Sequence, residues 1–276
     1  MSKADVLFVD MCTDILDHGY SSEGQTVRAK WPDGTPAHTI KQFGVVGRYD
    51  LAEEFPALTL RPTYIKSAVD EMLWIWQKKS NRTADLKSRI WDEWADEEGT
   101  IGKAYGYQMG VKYRFPFGEM DQVDAVLWQL KHTPYSRRIL TSMYNFRDLT
   151  QMGLEPCAYS MTFNVTGNRL NAILNQRSQD ILTANNWNVV QYAVLVHMLA
   201  QVSGLVPGQL VQVIADAHIY DRHVDIVREL IRRPQYPAPK FTLNPEVRDF
   251  YQFTTDDILI ENYQTNLQVR DIPVAI

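Results

Sequence analysis

CAYSMTFNVTGNRLNAILNQRSQD, residues 157–180, decides the fold. Tyr159, Met161, Phe163 and Val165 alternate with Ser160, Thr162 and Asn164. The turn Thr166-Gly167-Asn168 follows, and then Leu170, Ala172 and Leu174 alternate with Asn171, Ile173 and Asn175. Two period-2 runs around a Gly-containing turn read as a β-hairpin. Its returning strand carries Gln176, Arg177, Ser178 and Asp180 back toward Cys157.

Outward from the hairpin the periodicity changes. Ile65, Val69, Met72, Leu73 and Trp76 share one helical face, as do Val123, Val126, Leu127 and Leu130. VVQYAVLVHMLA, residues 189–200, is apolar nearly all round, so it predicts a helix buried on most sides at the centre of the fold. After Asp221, a candidate N-cap, Val224, Val227, Leu230 and Ile231 form another stripe. Ile139–Tyr144 and Leu210–Ile214 are further strand candidates. Helices and antiparallel strands mix without a βαβ rhythm, which makes the class α+β. No repeat, low-complexity segment or linker divides residues 1–276, so they read as one domain.

The formal charge of −5 argues against a general DNA, RNA or membrane-surface binder, which would need excess Lys and Arg. The only cysteines, Cys12 and Cys157, are far apart and offer no metal spacing, so a reducing cytoplasm is expected. The start, MSKADVLFVDMC, has neither signal-peptide nor transit-peptide character, and no apolar run approaches the ~20 residues of a membrane span. His18, His38, His132 and His197 show no metal spacing, and GTIGKAYG, residues 99–106, lacks the spacing of a phosphate loop.

The chemistry concentrates around the hairpin. Cys12 fits a buried, inert thiol. Cys157, at a strand start behind Pro156, is either a second such thiol or a nucleophile, and a nucleophile needs a nearby cation. Arg177 would return to it; Arg177 with Asp180 is either a surface ion pair or part of an anion site, where a guanidinium fork beside a hydroxyl suits a phosphate. Arg137, Arg138 and Arg28 are further cations. Asn188, entering the apolar helix at its start, is a cap, a satisfied buried amide, or an amide whose donor and acceptor both face a ligand. His218 and Tyr220, closing a strand, are either turn chemistry or a pair at a pocket rim.

As a set, several motifs resemble thymidylate synthase. They are Pro156-Cys157 opening a strand, QRSxD at 176–180, Asn188 at a helix head, DAHIY at 216–220 and Arg137-Arg138. DEMLWIWQ at 70–77, IWDEWADEEGTIGKAYG at 90–106 and the final PVAI add to them, so the resemblance covers nearly the whole chain. LRPTYIKSA, PCA and DILTANNWN resemble the forms of lactic-acid and related Gram-positive bacteria.

The resemblance implies a mixed, mainly antiparallel twisted sheet packed against the long buried helix and surrounding helices. It implies dUMP methylation to dTMP with 5,10-methylenetetrahydrofolate, no metal, and a covalent bond from Cys157 to uracil C6. Arg28, Arg177 and Ser178 would hold the phosphate, with Arg137 and Arg138 reaching in from the partner of a homodimer. Arg177 would also favour the Cys157 thiolate. Asn188 would pair with uracil N3–H and O4, with Gln176 beside it, and His218 and Tyr220 would hold the ribose. Asp180, Trp91, Arg61 and Ala275 would serve the folate, Glu71 and Tyr105 proton transfer, and Ala275-Ile276 a lid. Three positions depart from the family pattern: Ala158 replaces a common His, Arg61 a common Lys, and Ala184-Asn185-Asn186-Trp187 a Gly- and Pro-containing loop. Two rival readings are a pyrimidine hydroxymethylase, which adds water instead of hydride, and a non-catalytic nucleotide binder.

Overall fold

The computed structural model describes residues Met1–Ile276. The predicted hairpin forms: β6 (Ala158–Thr166) pairs antiparallel with β7 (Arg169–Gln176), with a register shift between Ala158 and Ser160. Preceding strands are β1 (Tyr20–Ser21), β2 (Thr39–Asp50), β3 (Lys112–Phe115), β4 (Gly118–Asp121) and β5 (Leu140–Ser142). After the hairpin come β8 (Gln179–Asp180), β9 (Val206–Tyr220), β10 (Lys240–Leu243) and β11 (Ile258–Glu261). One seven-stranded sheet runs β1-β2-β9-β7-β6-β5, with β8 also on β9. Its pairs are antiparallel except β7 and β8, which run parallel to β9.

Six helices complete the chain: α1 (Lys3–His18), α2 (Ile65–Trp76), α3 (Gly106–Gly110), α4 (Gln122–His132), α5 (Asn185–Ser203) and α6 (Val224–Leu230). The Ser2 hydroxyl accepts the Asp5 N–H to cap α1, and Asp121 accepts the N–H groups of Val123 and Asp124 to cap α4. The all-apolar run is α5, which packs on α2, β7 and β9 at the heart of the core. It ends at Gly204, whose φ of 70° supplies the left-handed residue that closes a helix. Asp221 does not cap α6; its carboxylate accepts from Trp31 Nε1 and from the Arg222 N–H, and a short 3₁₀ turn, Asp221–His223, precedes the helix.

α1 packs on β2 and β9 and buries its own Cys12 completely, so burial pushes that thiol well up. His197 packs against the stacked pair Phe55 and Phe241, where burial lowers it to about 4, as expected of a core histidine. The helices lie on one side of the sheet. On the other side Val46, Leu140 and Ile173 stay exposed, and Phe43 on β2 is 88% exposed. No helix is long and apolar enough to cross a membrane.

Candidate active site

The hairpin closes Arg177 onto Cys157. Ala158 pairs with Gln176, and the Arg177 N–H donates to the Cys157 carbonyl at 3.0 Å. The guanidinium then wraps the strand entry. Its Nε donates to the Pro156 carbonyl at 3.1 Å and Nη2 to the Glu155 carbonyl at 2.7 Å. Nη2 also lies 3.7 Å from Cys157 Sγ. The Cys157 N–H donates to the Tyr105 hydroxyl at 3.0 Å. Tyr105 is held at φ 42°, a strained backbone for a non-glycine residue, and its ring meets Trp91 edge-on at 5.0 Å.

The half-buried thiol is pushed up by burial, while Arg177 and Arg28 pull it back. The arginines therefore act in the expected direction, but burial outweighs them, so Arg177 alone does not make a resting thiolate. Arg28 is exposed, yet close enough for its charge to reach both Cys157 and Tyr220.

Beneath lies a buried amide relay. Gln176 Nε2 and Gln179 Nε2 each donate to Asn188 Oδ1 at 3.1 Å. Asn188 Nδ2 donates to Gln191 Oε1 at 2.9 Å, and Gln191 Nε2 to the Ala68 carbonyl at 3.0 Å. Gln212 Nε2 donates to Gln176 Oε1 at 2.6 Å. Asn188 is thus no cap. It lies in the first turn of α5, its N–H bonded to the Ala184 carbonyl, and its side-chain oxygen is turned toward two donors.

Glu71, on α2, is fully surrounded. Trp91 Nε1 donates to its Oε1 at 2.9 Å, and Trp187 Nε1 donates to Oε2. Burial pushes Glu71 up to about 7 despite those two indoles, which favour the carboxylate. Trp187 was not among the sequence candidates. It comes from the stretch that departs from the family pattern, in the first turn of α5, and no local spacing marks it.

β8 sets Asp180 beside His218 in parallel register. Asp180 Oδ1 accepts from the N–H groups of Leu182 and Thr183 at 2.9 and 3.1 Å, and Oδ2 from the Thr183 hydroxyl at 2.6 Å. Burial raises Asp180, but His223 and Thr183 outweigh it and hold the carboxyl below its usual range. His218 Nδ1 meets Asp216 Oδ1 at 2.9 Å, and its ring stands edge-on to Tyr220 at 5.1 Å. Arg61 turns inward: it donates to the Leu182 carbonyl, and its buried Nε has no partner. Ser178 lies half-buried between Arg177 and β8. The C-terminal segment folds back over the site, where Ile276 and Lys30 exchange two backbone hydrogen bonds at 2.8 and 2.9 Å. Ala275 is drawn in with it.

One chain therefore gathers Cys157, Arg177, Tyr105, Gln176, Asn188, Glu71, Trp91, Asp180, His218 and Tyr220. It does not bring in Arg137 or Arg138. Both are exposed, and Leu140, just after them, pairs with Thr162, well along β6 from Cys157. No group of His, Cys, Asp and Glu is arranged to hold a metal ion.

Comparison with known proteins agrees with this geometry. The sequence profile of thymidylate synthase matches residues 7–276. Thymidylate synthases of Bacillus subtilis subsp. natto and of Bacillus phage phi3T are each 44% identical over 269 residues, covering 96% of both chains. The solved thermostable thymidylate synthase A from Bacillus subtilis superposes with a TM-score of 0.94 at 41% identity, covering 99% of each chain. The chain belongs to the thymidylate synthase family of methyltransferases.

Proposed function

We propose that this chain converts dUMP to dTMP as a cytoplasmic homodimer, with 5,10-methylenetetrahydrofolate as co-substrate. The observation that carries the reading is the Arg177 guanidinium 3.7 Å from Cys157 Sγ, with the neighbouring Gln176 side chain bonded into the Asn188 amide relay. The two free thiols suit a reducing compartment.

Uracil C5 is too weak a nucleophile by itself. Bonding of the Cys157 sulfur to C6 places negative charge on C5 and O4 and makes C5 the reacting carbon. The same sulfur leaves when the methyl group is complete. Arg28, Arg177 and Ser178 hold the phosphate, and the phosphate's own charge sits among those cations. Arg137 and Arg138, unused within one chain, reach the partner's site. Asn188, giving up one of its two glutamine donors, accepts N3–H at Oδ1 and offers its second Nδ2 hydrogen to O4, a pattern cytosine inverts, so a cytosine ring would leave buried groups unpaired. His218 and Tyr220 face the ribose hydroxyl.

The residues on the other side suit a folate. A carboxylate has about four lone-pair sites, so Asp180 keeps acceptor capacity for a pterin N–H beyond its Thr183 and Leu182 bonds. Trp91 offers an aromatic edge, and Glu71, near neutrality in its titration, can hold or pass a proton together with Tyr105. Arg61, bonded inward, orders the Leu182 turn on the folate side of the site. Bound methylenetetrahydrofolate supplies the one-carbon unit and then the hydride, departing as dihydrofolate. Ala275 and Ile276 close the site against water.

Incubation with dUMP and methylenetetrahydrofolate tests the reading. Dihydrofolate should appear by its absorbance in step with dTMP. Tetrahydrofolate with a hydroxymethylated nucleotide, or no turnover, would overturn it.

A further inference from the structure

His223 has none of the roles above, yet it is fully buried between two parts of the site. Its Nε2 meets the Pro273 carbonyl at 2.7 Å, so that nitrogen carries a proton and donates to the C-terminal segment. Its Nδ1 has no hydrogen-bond partner and lies 3.8 Å from Asp180 Oδ2. A neutral ring protonated on Nε2 would turn the Nδ1 lone pair toward a carboxylate. Two acceptors facing each other in a dry site are unfavourable. A second proton on Nδ1 converts that conflict into a charge-assisted contact.

The surroundings agree. Trp31 and Tyr220 flank the ring edge-on, each at 5.6 Å. The charged groups around it are Asp180, Asp221, which holds Trp31 Nε1 at 3.0 Å, and Arg222, whose guanidinium lies over the Trp31 ring at 4.9 Å. His218 lies beside Asp180 in the adjacent strand.

We propose that His223 is a positioning residue: a buried imidazolium that clips the C-terminal segment, through the Pro273 carbonyl, to the Asp180 carboxylate. The segment then closes over the folate side only while ring and carboxylate carry opposite charges. This rests on the proposed lid role of the segment and folate role of Asp180. Burial alone pushes His223 down, but Asp180, the Pro273 carbonyl and Asp221 outweigh it and hold the ring above the ordinary histidine range. The clip is lost on the alkaline side as pH climbs through that raised titration. On the acid side it is lost when Asp180, held low, takes up a proton.

The test is exchange of the Ile276 amide hydrogen, which bonds the Lys30 carbonyl at 2.9 Å, in the ligand-free dimer. His223→Gln keeps an N–H for Pro273 but carries no charge. Exchange, corrected for its chemical rate, should be about tenfold faster in this variant at neutral pH. Wild-type protection should fade as pH rises, whereas the variant should show no such dependence. The variant's KM for methylenetetrahydrofolate should rise about tenfold with the KM for dUMP unchanged. Equal exchange at every pH would overturn the proposal. If the variant fails to fold, NMR of ¹³C-labelled histidine in the wild type and in Asp180→Asn reads the ring directly. The His223 midpoint should fall by about one unit or more in Asp180→Asn, and an unchanged midpoint refutes the clip. Neither exchange nor NMR needs turnover, so a clip found in a protein that makes no dTMP would remove the assigned reaction and leave the clip standing.

Discussion

At the scale of single residues, the site separates groups that burial alone would treat alike. Cys157 and Glu71 are both pushed toward their neutral forms, Cys157 beside two guanidiniums and Glu71 between two indoles. Cys157→Ser should abolish dTMP formation while dUMP still binds, as calorimetry would show; retained turnover would remove the nucleophile assignment. Glu71 makes a pH prediction. Its folded-state value near 7 lies above its unfolded value, so the folded protein binds the extra proton and loses stability as pH rises between the two. The loss is about 3 kcal/mol at most, and Glu71→Gln should flatten it, seen in urea midpoints at pH 5 and pH 8. Parallel profiles for the two proteins would contradict this. Most of these residues were legible in the sequence because QRSxD and DAHIY are contiguous. Trp187 was not, because its partner Glu71 lies on another helix and nothing in the local spacing announces a bond across that separation.

Among the elements, legibility followed burial. α5 and the β6–β7 hairpin were readable because each buries a whole surface or a clean alternate face. β2 was not read as a strand. Its run TIKQFGVVGRYD is broken by Gly44 and Gly47 and carries Phe43 and Val46 exposed, so no alternation survives. The parallel pairing of β7 with β9 was also invisible, since α5 intervenes and register is set only when that helix packs. The core role of α5 can be measured: Leu195→Ala, at a site with no exposure, should cost about 3 kcal/mol in denaturant unfolding with the m-value unchanged. A loss under about 1 kcal/mol would mean that the site collapses around the deletion.

For the whole molecule, the uncovered sheet face and the two stranded arginines point the same way. A second copy would cover Leu140 and Ile173 and receive Arg137 and Arg138. Mixing inactive Arg138→Ala with inactive Cys157→Ser should then restore about a quarter of wild-type activity, because half the dimers are mixed and each mixed dimer has one intact site. A mixture as inactive as its parents would refute the shared site. The placement of Cys12 has a consequence for anyone handling the protein. With that sulfur on the buried face of α1 and the other reachable from solvent, a thiol-specific dye should report one equivalent per native chain and two after denaturation. The number of equivalents per chain by which the native reading falls short of the denatured one gives the fraction of any preparation that is correctly assembled, with no substrate required.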